Sequence, residues 1–389
     1  MPENKGLLNF KKLQFLFVFI FFALISAQSA FGNHPESATD STSVSKTEHT
    51  EGHGPAHEEG FDAGKMILDH VKDAHDWHIM DIDGHAVSVP LPVILYDNGL
   101  HTFMSSKFEH GHAVVESKGN YYKLHDGKVY KTEADGLIHM EGNSVTNMMP
   151  TDLSITKNVF ALILSAALIL LIFFTVAKGY KKRGTGAPKG IQSLVEPLIV
   201  FLKDEVVKPS VGKHYSKFLP LLLTIFFFIF INNLMGLIPI FPFGANVTGN
   251  IAVAMVLAVV VFLVVNFSGN THYWKHIFAP DVPVALWILL IPIEILGVVL
   301  KPFVLMLRLF ANITAGHIII LGFFSLIFIF GEMNAAAGYG SAIFSVIFTL
   351  FMSVLELLVA FLQAYVFTLL ASLYIGSATE EHHHAEDHH

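Results

Sequence analysis

The sequence predicts a mainly α-helical, polytopic membrane protein that carries a small β-rich domain near its N-terminus. Hydrophobic residues make up 53% of the 389 residues, and most of them lie in long apolar segments after residue 158. Charged residues lie mostly before Asp152, in the loop 178–189 and in the tail. Because cysteine is absent, disulfide frameworks and thiolate chemistry are excluded.

The first 60 residues are predicted to contribute no folded domain. Residues 1–32 have the pattern of a secretory signal peptide, since lysines precede an apolar core and small residues follow it. A retained transmembrane helix is the alternative, although a core of about 13 residues is short for one. Residues 33–60 are polar and rich in Gly and Pro, so we expect a flexible linker.

Residues 61–150 are predicted to form a β-rich domain in the periplasm. A short helix over 61–76 is followed by segments that combine β-forming residues with turn residues. The predicted strands are Ala86–Val89, Val93–Tyr96, Ala113–Glu116, Tyr121–Leu124 and Lys128–Lys131. Histidines are frequent here and at some spacings are able to bind zinc or copper, but they also suit solvated polar positions. We assign no metal to them.

Residues 151–376 are predicted to form a membrane domain with five crossings, and 377–389 a cytoplasmic tail. The crossings are predicted at about 159–177, 218–238, 251–267, 284–330 and 342–375. The basic loop after the first crossing indicates that this segment runs from outside to inside. Segment 190–207 is amphipathic and is predicted to lie on the cytoplasmic surface. The last two segments are too long to cross upright, so we expect a long tilted helical hairpin.

Arg308 lies in the middle of the fourth apolar segment. An arginine at the bilayer centre costs roughly 2.5–3.5 kcal/mol, so it needs a use or a partner. At 100° per residue, Glu294, Lys301 and Asn312 fall within about 40° of Arg308 on one stripe. His317 lies on the opposite side of the helix and about 13 Å further along the axis.

The last apolar segment carries Glu356 and Gln363, which share one face about 10 Å apart. An antiparallel hairpin that turns near 331–338 brings Gln363 to the depth of Arg308 and Glu356 to that of His317. Two other interpretations stay open. Arg308 forms a static salt bridge with Glu356, or His317 serves only as a hydrogen bond between helices.

Polar side chains also lie between the second and third crossings. They are Asn232, Asn233, Asn246, Thr248 and Asn250. Asn and Thr are preferred helix caps, so these residues are compatible with caps at the outer interface. They are equally compatible with the polar wall of an ion entrance.

Several sequence blocks point to one family. They are Arg308-Leu309-Phe310-Ala311-Asn312, Ala315-Gly316-His317, Leu362-Gln363-Ala364, Asn233-Leu234-Met235-Gly236-Leu237-Ile238-Pro239, Glu294 with Lys301-Pro302, and the tail Glu380-Glu381-His382. Over about residues 155–382 the chain resembles subunit a of the F-type ATP synthases.

The resemblance implies a stator subunit that faces a ring of c subunits. Arg308 would attract each c-subunit carboxylate in its ionised form and would separate two aqueous half-channels, with Gln363 and Asn312 beside it. The outer half-channel would be lined by His317, Glu356 and the amides Asn233, Asn246 and Asn250. The inner half-channel would be lined by Glu294 and, less strongly, by Lys301. Some members of the family carry the acid and the imidazole in exchanged places.

The resemblance also implies partners and a location. The partners are the c-ring, b-type peripheral stalk subunits, the lipid bilayer and, indirectly, the catalytic head, in a bacterial inner membrane. No glycine loop for phosphates is present, so we expect no nucleotide site, no cofactor and no catalysis in this chain, and no basic aromatic surface points to nucleic acid. The alternative function is a stand-alone metal or proton transporter whose His-rich exterior collects the cation, but the internal repeats typical of such carriers are absent.

Overall fold

The computed structural model shows a β domain joined to a set of long apolar helices. It describes residues 63, 64, 67, 71–82, 85–142, 144–184, 186–238, 240–280 and 282–380. The predicted signal peptide, the predicted linker and the tail after residue 380 lie outside the described residues. The fold class predicted from the sequence is confirmed.

The β domain consists of short antiparallel strands. They are β1 Asp76–Ile82, β2 His85–Pro90, β3 Pro92–Tyr96, β4 Leu100–Met104, β5 Val114–Ser117, β6 Asn120–His125, β7 Lys128–Thr132, β8 Met140–Glu141, β9 Ser144–Val145 and β10 Thr151–Asp152. The sheets have the orders β1-β2, β10-β3-β4, β5-β6-β7 and β8-β9. β10 pairs with β3, so the domain extends past its predicted end at residue 150.

Tight turns and a small core hold this domain together. In the two-residue turns Lys118-Gly119 and Asp126-Gly127 both residues adopt positive φ, as such β-hairpins favour, and Asn98 and Gly99 of the three-residue loop 97–99 also adopt positive φ. Alternate residues of the strands face inward. The fully or nearly buried core residues are Val93, Leu95, Phe108, Val115, Tyr122 and Val129.

The rest of the described chain is helical. The helices are α1 Lys157–Arg183, α2 Ile191–Phe201, α3 Tyr215–Gly236, α4 Ile251–Ser268, α5 Thr271–Phe278, α6 Trp287–Met333 and α7 Ala335–Thr379. A π-helical turn Leu202–Val207, a short helix Lys208–Val211 and a 3₁₀ turn Gly212–His214 connect α2 to α3. Five helical segments in the described chain are long and apolar enough to cross a membrane, with α2 to α3 counted as one segment.

Helices α6 and α7 form a hairpin with almost no loop. Only Asn334, in an extended conformation, separates them, and its side chain accepts a hydrogen bond from Ala337 N at 2.8 Å. Gly331 and Gly338, which we expected in a loop, lie inside the helices. A Cβ at Gly338 would lie 2.8 Å from Gly331 Cα, so these glycines allow the two helices to approach closely.

The buried core of the helical part is centred on α3. Leu222, Ile225, Phe226 and Ile229 of α3 are completely buried. Helix α3 packs against α1 and α7, and α4 packs against α6. Helices α6 and α7 contain 47 and 45 residues. At 1.5 Å per residue each is roughly 70 Å long, about twice the thickness of a hydrocarbon core, so neither stands upright in a bilayer.

Candidate functional site

An acid and an imidazole meet between α6 and α7. Nδ1 of His317 lies 2.6 Å from Oε1 of Glu356, and the two side chains are 12% and 6% exposed. The hairpin therefore brings together the two residues that the residue count placed at one depth. Within the chain, the partner of Glu356 is therefore His317 and not Arg308.

Two glycines make room for this pair. A Cβ at Gly316 would lie 2.8 Å from Oε1 of Glu356, which is closer than real Cβ contacts. A Cβ at Gly236 of α3 would lie 3.7 Å from Nε2 of His317. The carboxylate is therefore packed directly on the backbone of α6, and the imidazole is packed close to α3.

The pair opens onto a polar pocket between α3, α6, α7 and the segment 237–250. The cavity volume of the pocket is about 10 Å³, roughly the space that one water molecule needs. Its lining residues are Asn232, Asn233, Gly236, Leu237, Ala245, Asn246, Thr248, Ile313, His317, Glu356 and Ala360. Oδ1 of Asn232 and Nδ2 of Asn246 are buried without a hydrogen-bond partner. Buried polar atoms need partners, and in a polar pocket water can supply them.

Hydrogen bonds fix the amide side of this pocket. Oγ1 of Thr248 donates to Oδ1 of Asn233 at 2.5 Å, and Nδ2 of Asn233 donates to the carbonyl of Ala360 at 3.3 Å. Asn250 instead caps α4 by accepting from Ala252 N at 2.9 Å, and it is not in the lining. The sequence allowed these residues to be either helix caps or part of a polar wall. In the structure Asn250 is a helix cap, whereas Asn233, Asn246 and Thr248 line the pocket.

Arg308 lies on a different face of α6 from this pocket. Its side chain is exposed in the isolated chain and lies near enough to the phenol of Tyr374 for an electrostatic interaction. Apolar side chains that precede it on α6 are exposed as well. They are Leu300, Val304 and Leu307. The face of the hairpin that carries Arg308 is thus apolar and uncovered by the described chain.

Gln363 pairs with Asn312. Nδ2 of Asn312 donates to Oε1 of Gln363 at 2.9 Å, and Gln363 is 3% exposed. The residue count placed Gln363 opposite Arg308, whereas its hydrogen-bond partner lies one helical turn further along α6. Nε2 of Gln363 is buried without a partner. This amide pair lies between Arg308 and the His317–Glu356 pair along the hairpin.

A second polar region lies at the other end of α6. Nδ1 of His276 lies 3.9 Å from Oε2 of Glu294, and Nζ of Lys301 lies 5.5 Å from the centre of the Tyr374 ring. Burial, and then the charge of Glu294, raise the pKa of Tyr273 on α5. Glu294 lies about 21 Å before Arg308 along the axis of α6, on the side opposite to His317.

Comparison with known proteins identifies the family. Residues 159–376, more than half of the chain, match the family "ATP synthase A chain". The chain belongs to the subunit a family of the ATP synthases. Subunit a of Chloroherpeton thalassium is 42% identical over 270 residues, which are 68% of this chain and 77% of that protein. Subunit a 2 of Chlorobaculum tepidum is 44% identical over 269 residues, which are 68% of this chain and 72% of that protein.

Family membership decides between the two functions considered from the sequence. Subunit a is a membrane subunit of the F-type ATP synthase and is not itself catalytic, so the stand-alone transporter is excluded. The N-terminal domain is a separate match. Residues 66–153 correspond to a domain of unknown function, DUF8433.

Sequence reasoning missed several members of the site. Gly236 and Gly316 matter because of what packs on them, and the single signal in the sequence was a glycine inside an apolar helix. Thr314, whose Oγ1 donates to the carbonyl of Gly249 at 3.2 Å, gave no signal. Tyr374 of α7 has its ring centre 5.5 Å from Nζ of Lys301 on α6, and no periodicity within one helix reveals such a contact.

Proposed function

We propose that this subunit a provides the stationary proton path beside a ring of c subunits, with Arg308 as its coupling residue. One observation carries the proposal. Arg308 is exposed on an apolar face of α6, while Glu356 of the same chain is hydrogen-bonded to His317. A cation on a membrane-facing surface is costly unless a partner brings an anion. Each c-subunit carboxylate would supply that anion in turn.

The outer half-channel is proposed at the pocket. A proton would enter past Asn246 and Thr248, reach the Glu356–His317 pair and pass the Asn312–Gln363 pair to a rotor carboxylate. An imidazole and a carboxylate at hydrogen-bond distance titrate as one coupled system, which suits proton transfer. The buried amide atoms without partners support this wet route.

The inner half-channel is proposed at the opposite end of α6, with Glu294 as its main acid and Lys301 beside it. A proton that has travelled around with the ring would leave there. Arg308 lies between the two routes and would keep the passing carboxylate ionised, so that protons cannot cross directly. Each proton is worth about 2.3 kcal/mol per 100 mV, so several steps of the rotor are needed for each nucleotide.

The proposed location is a bacterial inner membrane, with the N-terminal domain in the periplasm and the C-terminus in the cytoplasm. The basic residues Lys181, Lys182 and Arg183 in the last turn of α1 support this orientation, because such residues are retained in the cytoplasm. The proposed partners are the c-ring, b-type peripheral stalk subunits and, indirectly, the catalytic head.

The sequence offers a matched control for the test, because Arg183 and Arg308 are its only arginines. In the reconstituted synthase, Arg308→Ala should abolish ATP-driven proton pumping while ATP hydrolysis by the detached head is unchanged. Arg183→Ala should keep pumping, since Arg183 bonds locally to Gln192 at 2.8 Å. Coupled pumping by an assembled Arg308→Ala synthase would contradict the proposal.

A further inference from the structure

The β domain touches the membrane part through three aromatic rings. The ring of Trp77 in β1 lies 5.8 Å from that of Phe160 in α1 and 5.4 Å from that of Phe241, edge to face in both cases. Phe160 and Phe241 stack with centroids 6.2 Å apart. Trp77 is 5% exposed. We call these three residues the aromatic brace.

The domain that carries Trp77 is fixed rigidly to α1. Asp73 accepts hydrogen bonds from Oγ1 of Thr156 at 2.8 Å and from the backbone N of Asn158 at 2.9 Å. The backbone N of Lys157 donates to the carbonyl of Ala74 at 2.9 Å. Thr156 is also the N-cap of α1. The first turn of α1 is therefore bonded directly to the chain just before β1, which holds Trp77 in a fixed position.

The third ring of the brace belongs to the segment 237–250, which joins α3 to α4. Phe241 is in its first half, and Asn246 and Thr248 in its second half line the pocket. Backbone hydrogen bonds link the halves to α3, because Gly244 N donates to the carbonyl of Met235 at 2.9 Å. The contact of the Trp77 ring with Phe241 therefore helps to fix the position of the segment that forms the pocket wall.

We propose that the β domain, through the aromatic brace, holds the mouth of the outer half-channel in place, with Trp77 as its positioning residue. The domain holds segment 237–250 so that Asn246 and Thr248 keep their places opposite His317 and Glu356. This assignment gives the domain a role in the stator and rests on the proposed channel function of the pocket. Trp77 is not among the residues that line the pocket, and it acts on the pocket wall through Phe241.

The absence of cysteine from the chain makes a direct test possible. Asn246→Cys would introduce the only thiol of this subunit, and its reaction rate with a small water-soluble thiol reagent in the intact synthase reports the position of the pocket wall. Trp77→Ala should change that rate at least about threefold, whereas Trp77→Phe, which keeps an aromatic ring, should restore most of it. Tyr96→Ala removes an exposed ring of the same domain and should change nothing.

A second variant keeps the test valid if Trp77→Ala fails to assemble. Phe241 is 39% exposed, so Phe241→Ala breaks the brace from the membrane side with little effect on the β domain. It should alter the labelling rate in the same direction as Trp77→Ala. The double variant Trp77→Ala/Phe241→Ala should show no further change, because both substitutions remove the same contact between Trp77 and Phe241. An unchanged rate in the assembled Phe241→Ala synthase would overturn the brace. Labelling measures position and not proton flow, so it fails or succeeds independently of the Arg308 test.

Discussion

Gly316 of α6 packs directly against the carboxylate of Glu356 of α7, at a distance that leaves no room for a methyl group. This close approach lets the carboxylate of Glu356 reach Nδ1 of His317, the residue that follows Gly316. Small residues are common where membrane helices approach closely, but here the small residue accommodates a functional side chain. The geometry of the acid–imidazole pair thus depends on a residue that takes no part in proton transfer.

Gly316→Ala should therefore lower proton flux through the membrane sector. The added Cβ would push the carboxylate away from His317, and misplacement of a reacting group by about 1 Å costs up to roughly a hundredfold in rate. Flux is measured as passive proton conduction after removal of the catalytic head. Gly322→Ala on the same helix is the control, because nothing lies within 4 Å of its Cβ position. Equal fluxes in the two variants would show that the contact is unimportant.

Exchange of the acid and the imidazole should preserve function. His317→Glu and Glu356→His each destroy the pair and should reduce proton flux roughly tenfold or more, in the range of losses of one acid–base group. The double variant places an imidazole on α7 and a carboxylate on α6, and its flux should recover most of the loss. A double variant as slow as the single variants, with normal assembly, would mean that each position requires its own side chain.

The junction between the β domain and α1 should loosen as the pH rises. Burial disfavours protonated His75, but the hydrogen bond and charge of Asp152, 2.6 Å away, with the charges of Asp73 and Asp76, raise the net pKa of His75 above its usual 6.5. The pKa of Asp152 is lowered, so its carboxylate stays ionised throughout this range. Stability from the pair is complete below the ordinary histidine pKa and is lost as pH rises through the raised value.

Hydrogen exchange in the intact synthase measures this effect. After correction for intrinsic exchange, the amide of Lys157, which bonds to the carbonyl of Ala74, should be less protected at about pH 8.5 than at about pH 6. His75→Gln carries no titrating imidazole and should show no such pH dependence. A pH response that survives in His75→Gln would assign the effect to another group.

Glu294 should matter for proton release, whereas its ion-pair partner His276 should not. Glu294→Gln removes the acid proposed for the inner half-channel and should slow ATP-driven pumping several-fold. The pair with His276 is long, 3.9 Å, and the His276 side chain is 59% exposed. Exposed ion pairs contribute at most about 1 kcal/mol, so His276→Gln should leave pumping nearly unchanged. The opposite ranking of the two variants would move the exit route to His276.

Much of the fold followed from local patterns. Apolar length predicted membrane helices and the alternation of short β segments predicted the β domain, because both signals lie within one element. The depth match of His317 with Glu356 followed from rise per residue and a sharp turn. Counting back from that pair places Gln363 opposite residue 310, midway between Arg308 and Asn312, so the count alone did not decide that Gln363 bonds to Asn312.

The amino-acid sequence by itself determined the helices, the intramembrane charges and the motif that marks the family. Only the tertiary structure decided that Gln363 bonds to Asn312, that Gly316 faces Glu356 and that Trp77 reaches Phe241. The physical reason is the range of the forces. Helix periodicity and hydrophobicity act over a few neighbouring residues, whereas a contact between distant segments depends on how closely their backbones pack and on which side chains then share the space.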